Sequence, residues 1–123
     1  PCFHDNAEAL GPAGRVHCSL ADWAKFQSLF MANSKQTLLS TNKLTRLVEP
    51  VGNYAAGWII FKRGWAQGTA LSHDGSNTMW YAKLWLAPRI NRSYMVVTNS
   101  CNERSPIICD EIIGEMITMD LSP

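Results

Sequence analysis

The sequence lacks most of the features that assign a function at a glance. It has no run of the roughly 18–20 apolar residues that a helix needs to cross a bilayer. It has no charge excess either: 11 Lys and Arg stand against 10 Asp and Glu, a net charge of +1. The basic residues are scattered, so no bulk field draws the chain to nucleic acid or to an anionic membrane. None of the four cysteines (Cys2, Cys18, Cys101 and Cys109) forms a Cys-x-x-Cys pair. His4, His17 and His73 are dispersed without ligand spacing, which disfavours zinc. No cofactor or metal is implied. The first residues, Pro1-Cys2-Phe3-His4-Asp5-Asn6, have neither the basic start nor the apolar stretch of a signal peptide. The chain opens on Pro rather than Met, as expected of one trimmed from something longer, so the missing signal leaves the compartment open.

What is present is a globular composition. Apolar residues make up 46% of 123 and charged residues 17%, enough for one small domain, 1–123, with one core. Four cysteines permit disulfides, but a core this apolar needs no staples, and free, mostly buried thiols are expected. Residues 1–18 read as a loop punctuated by Gly11-Pro12-Ala13-Gly14. Ser19 is a candidate N-cap with Asp22 three residues on. Leu20, Trp23, Phe26, Leu29 and Phe30 then recur at helical steps, until Asn33-Ser34 ends the helix. A second helix is expected at 41–48, capped by Ser40 or Thr41 and stopped by Pro50 and Gly52.

The period then changes. Strands are expected at Tyr54–Phe61, near 65–72, at Met79–Leu86 and at Ser93–Thr98, with a tight connection at Gly75–Thr78. Short connections between successive strands imply an antiparallel meander. Trp58, Trp65, Trp80, Trp85 and Tyr81 on these strands read as core before they read as a pocket. A last helix starts with Ser105 as N-cap and Pro106 at its first position. Its stripe Ile108, Ile112, Met116 and Met119 is expected to pack on the sheet. The fold class is therefore α+β, an antiparallel sheet of about four strands flanked by helices.

Three segments carry a resemblance. Gly11 to Phe26 (GPAGRVHCSLADWAKF) looks like a glycine-containing loop entering a "S/T–x–x–D–L/W–A–R/K–F" helix. Tyr54-Ala55-Ala56-Gly57-Trp58 is similar to a "Y–G–x–G–W" strand. His73-Asp74-Gly75-Ser76-Asn77, then Ala87-Pro88 and Val96-Val97-Thr98-Asn99, looks like a third catalytic motif and its hairpin. Any one is weak; three in order are fairly specific. Together they resemble the C-terminal part of the serine β-lactamase-like superfamily, which includes class C β-lactamases, penicillin-binding proteins and serine esterases.

The resemblance implies a partial β-lactamase/transpeptidase-like fold and an acyl-transfer site. In that family a Ser-x-x-Lys serine attacks the substrate, Tyr-x-Asn supplies a second acid/base, and Lys-Thr-Gly or His-x-Gly edges the pocket. By this match His73 takes the Lys/His position and Asp74 the Thr position, Gly75 matches the Gly, and the Ser76 backbone N–H completes an oxyanion hole. Asp74, Gly75 and Asn77 would line the substrate. A donor at His73 would hold a substrate carboxylate or tune the nucleophile's proton network. Gly75 leaves the strand edge bare for a ligand, and the Ser76 N–H would be worth about 3 kcal/mol of barrier. Asp74 departs from the usual Thr or Ser; a carboxylate there would repel a substrate carboxylate, which speaks against a typical β-lactam. Without the flanking segments, His-Asp-Gly-Ser would be a polar hairpin turn.

The nucleophile is the missing part. The single Ser-x-x-Lys, Ser40-Thr41-Asn42-Lys43, could in principle let Lys43 take the Ser40 proton. But ten Ser and five Lys predict about 0.4 such matches by chance. Ser40 also reads as a helix cap, and it precedes His73 by only 33 positions. Tyr54, Tyr81 and Tyr94 start no Tyr-x-Asn. Cys101 has no base nearby in sequence and is a weak candidate thiol.

Three functions follow. The first is part of a serine hydrolase acting on a small ester, amide or β-lactam, inactive alone and completed by upstream sequence or another chain. The second is a non-catalytic, self-associating module derived from that fold, a possible homo-oligomer. The third is a small enzyme using Ser40. No nucleic acid and no membrane span enter any of them.

Overall fold

The computed structural model describes residues 6–35 and 38–122. Cys2 and His4 lie outside them. The chain is α+β: the described residues form four α-helices and a five-stranded antiparallel sheet. The helices are α1 (Gly11–Gly14), α2 (Leu20–Ser28), α3 (Thr41–Leu47) and α4 (Ser105–Leu121). The strands are β1 (Tyr54–Ala55), β2 (Trp58–Arg63), β3 (Gly68–Ser76), β4 (Tyr81–Ala87) and β5 (Arg92–Thr98), ordered in space as in sequence. The meander expected from short connections is therefore present.

Several expectations need correction. The stretch expected as a loop holds a 3₁₀ turn at Glu8–Leu10 and the single turn α1, with Pro12 near its start. A Pro there gives up an N–H that has no helical partner anyway. The first expected strand is two. Ala56 (φ 21°) and Gly57 (φ 94°) adopt left-handed backbone and break Tyr54–Phe61 into β1 and β2, which makes five strands rather than four. β3 runs on through Ser76, so the tight connection moves to 77–80.

Ser19 does cap α2: its Oγ accepts the Asp22 N–H at 3.1 Å and donates to the Asp22 carboxylate at 2.7 Å. The helix stops at Ser28, and irregular turns reach Ser34. Ser105 is the first residue of α4, and Arg104 holds the cap position. The buried Ser105 hydroxyl points backwards, accepting the Asn102 N–H and donating to the Ser100 carbonyl.

Two apolar layers sandwich the sheet. Trp58, Leu71, Leu84 and Leu86 face Trp23 and Phe30 of the α2 region and Val48 at the end of α3. Ala70, Trp85, Ala87 and Tyr94 face Ile113 and Ile117 of α4. Strand alternation separates the two sets, since neighbouring residues point to opposite faces. Gln27 on α2 is wholly buried. Its amide oxygen accepts from Ser93 and its amide nitrogen donates to the Met95 sulfur, so both polar atoms of the buried side chain have partners. The expected α4 stripe is not the one that packs. Cys109 and Ile113 are buried, whereas Ile108, Ile112, Met116 and Met119 are exposed.

Trp58, Trp85 and Tyr81 are core, as their strand positions indicated, while Trp80 is half exposed. Cys18, Cys101 and Cys109 are free thiols, but only Cys109 is buried. No helix among the described residues is long and apolar enough to cross a membrane.

Candidate functional site

The sequence-predicted motif lies on the second half of β3. Pairing of β3 with β2 ends at Ile59–Ser72, while pairing with β4 continues from His73–Leu84 to Ser76–Tyr81. Residues 73–76 thus have a neighbour on the β4 side and an open edge on the other, among the described residues. All four are exposed. Every second residue on such an edge directs its N–H and C=O outward, where an extended ligand can pair with them.

The side chains divide between the faces. His73 and Gly75 follow Leu71 onto the α2 face, and Gly75 stands opposite Ala82. A Cβ on Gly75 would meet nothing within 4 Å, so the backbone there is bare and open on that face. Asp74 and Ser76 point to the α4 face. The Asp74 carboxylate accepts the Tyr81 hydroxyl. Asp74 and His73 therefore do not share a face. The charge expected to oppose a substrate carboxylate is turned away from the His73–Gly75 face and is already hydrogen-bonded.

Ser76 and Asn77 build the turn that ends the motif. The Ser76 hydroxyl accepts the Thr78 N–H at 2.8 Å and donates to Cys101 Sγ at 2.9 Å. Asn77 Oδ1 accepts the N–H groups of Met79 and Trp80 at 3.2 and 3.0 Å. These bonds hold Thr78 at φ 75°, a conformation a β-branched residue adopts only when its surroundings impose it. The Asn77 oxygen is thereby committed to the backbone.

Ser40 and Lys43 are not joined to this strand. Ser40 is the N-cap of α3, but its side chain makes no capping bond. Both residues are exposed, and α3 makes no extensive contact with β3.

Two residues that sequence reasoning did not place at the motif are brought to it. Cys101 meets Ser76 from 25 positions away, and Tyr81 meets Asp74 across the β3–β4 hairpin. No local signal marks either contact; only strand register predicts the second. Beside them, Asp110 of α4 pairs with Lys83 at 3.3 Å and accepts the Trp85 indole N–H at 2.8 Å. Among the described residues no group of three or more His, Cys, Asp or Glu could hold a metal ion.

The buried tyrosines on the α4 face carry raised phenol pKa values. Burial is the largest cause for both, followed by the hydrogen bond to Asp74 for Tyr81 and to Asp120 for Tyr94. Tyr94 is pushed up to about 12 from an ordinary 10.0. A proton held more tightly in the folded chain gives stability that is complete below the unfolded value and lost as pH rises through the folded one. The Tyr94 contribution to the denaturant midpoint should therefore stay level up to pH 10 and fall between 10 and about 12. Tyr94→Phe should remove that part of the fall, and an unchanged fall would refute the assignment.

No family model, no curated protein and no solved structure matches the chain.

Proposed function

We propose that the chain supplies the substrate-edge strand of a β-lactamase-like serine hydrolase, with the nucleophile coming from residues outside it. One observation carries the reading: among the described residues, β3 has an open, exposed edge at His73–Ser76, bare at Gly75. A scissile carbonyl laid along this edge would meet strand N–H groups. The Ser76 N–H would stabilise the developing oxyanion by about 3 kcal/mol. His73, on the face left clear by Gly75, would donate to the substrate or exchange a proton with the nucleophile. Asp74 would act through Tyr81 to fix the strand rather than touch the substrate. The exposed Ser40, remote from the motif strand in its packing, is left out of the chemistry.

A fluorophosphonate probe tests this. The 123-residue chain should remain unlabelled, and labelling at Ser40 would overturn the division of roles. The coding sequence upstream of Pro1 should hold an in-frame Ser-x-x-Lys. The protein made from it should label on that serine, about 100-fold more slowly after His73→Ala. No labelling of that longer protein would refute the acyl-transfer reading.

The second reading is a non-catalytic, self-associating module. It is favoured by the uncovered apolar flank of α4 at Ile108, Ile112, Met116 and Met119.

A further inference from the structure

The open edges of the sheet are not alike. β1 is two residues long and ends in the left-handed turn at Ala56–Gly57. The open stretch of β3 carries a carboxylate, Asp74. β5 is a seven-residue edge strand, and from Ser93 to Thr98 (SYMVVT) it has no charge and no proline. Charges, prolines and short length are how edge strands are kept from pairing. Among the described residues, β5 has only Arg92 at its start.

The apolar flank of α4 lies on the same side of the molecule. Ile108, Ile112, Met116 and Met119 follow one another at steps of four, four and three, so they form one stripe. They are 42%, 44%, 37% and 77% exposed. Met116 and Met119 line a groove together with Arg92, Ser93 and Tyr94 of β5. The stripe therefore looks out past the β5 edge. Four such side chains make a patch on the order of a few hundred Å², the size at which a surface marks a partner.

We infer that a second copy of this chain covers both features in one two-fold interface. β5 pairs antiparallel with β5 of the second copy, and α4 packs on α4. The dimensions agree. Strands lie about 4.8 Å apart. A helix seated over β4 and β5, as α4 is, sits about 5 Å from the two-fold axis. The two α4 axes are then about 10 Å apart, a distance at which helices pack. The charges also agree. In a register centred on Met95, Arg92 stands opposite Thr98 of the second copy and no like charges face one another. Asp120, at the end of the groove, is neutralised by Arg92 at 2.7 Å. Glu111 and Glu115 fall on the outward border of the stripe, where they stay in water. The contact is self-complementary and closes at two. It deepens the self-association reading and is independent of acyl transfer.

Sedimentation equilibrium of the 123-residue chain, from micromolar to submillimolar concentration, tests it. The mass should double with concentration and stop there. Ile112→Glu and Met119→Glu should each return a monomer with an unchanged far-ultraviolet circular dichroism spectrum. Val51→Glu, at an exposed apolar residue elsewhere, should leave the dimer intact. Should Ile112→Glu fail to fold, Met119→Glu decides, being the most exposed of the four. A monomer at every concentration would overturn the inference and the self-association reading with it. An assembly that ignores both substitutions, or that grows past two, would overturn this interface while leaving self-association by another route.

Discussion

Trp85→Ala should lower stability by about 3–5 kcal/mol, the range for removing a large buried aromatic. For a chain of this size that is a fall of roughly 10–20 °C in melting temperature. Trp85 joins several contacts at once. Its ring lies 4.9 Å from Phe61 and 6.2 Å from Trp65, centroid to centroid. The Arg63 guanidinium sits 5.3 Å from the ring, and the indole N–H donates to Asp110. Truncation would leave a void between the sheet and α4. It would also remove one of the two groups that Asp110 uses to dock that helix; Lys83 is the other. A chemical-denaturation midpoint measures the loss. A change under 1 kcal/mol would mean that α4 is not seated as described.

A pair of adjacent residues gives the second large effect and tests the orientation of α4 directly. Ile113→Ala should cost about 2–5 kcal/mol, as for a fully buried isoleucine. Ile112→Ala should cost less than about 1 kcal/mol, since a half-exposed side chain gives up little burial. Ile113 is 1% exposed and Ile112 is 44% exposed. The stripe read from the sequence puts the larger effect at Ile112. Equal or reversed losses in the two variants would restore that orientation. The comparison should be made at low protein concentration, where the proposed dimer is dissociated and Ile112 is not buried by a partner.

The misreading of α4 has a clear origin. The helix reads Pro106-Ile107-Ile108-Cys109-Asp110-Glu111-Ile112-Ile113-Gly114-Glu115-Met116-Ile117, with apolar residues around most of its circumference. Two stripes satisfy the helical period, and the period alone cannot rank them. The sheet ranks them, because Asp110 can reach Lys83 and Trp85, and Asp120 can reach Arg92 and Tyr94, only with Cys109 and Ile113 turned inward. The split of Tyr54–Phe61 has a similar cause. Gly57 offers a positive φ at no steric cost, but an apolar run gives no sign that the freedom will be used. Gln27 was invisible for a third reason. A glutamine on a helix reads as solvent-facing, and only Ser93 and Met95, more than 60 positions away, satisfy its amide in the interior.

The motif strand was legible only in part: the sequence ends it near residue 72 and puts a tight connection at Gly75–Thr78, whereas β3 continues through Ser76. Its alternation fixes that His73 and Gly75 share one face and Asp74 and Ser76 the other once a strand is assumed. The tight turn that Asp-Gly favours was the competing local choice. Pairing with β4 over 73–76 overrode it.

The sequence by itself determined the order of helices, then strands, then a last helix, together with the Ser19 cap and the antiparallel meander. These depend on neighbours within a few residues, where propensity, capping and hydrophobic period act. Only the tertiary structure decided that β3 runs on to Ser76 and that its pairing with β2 stops at Ile59–Ser72, which leaves the next four residues with an open edge among the described residues. It also decided that Asp74 turns to Tyr81, that Cys101 meets Ser76, and which flank of α4 remains bare beside β5. Each of these depends on where distant segments stop or meet, and a local pattern holds no record of that.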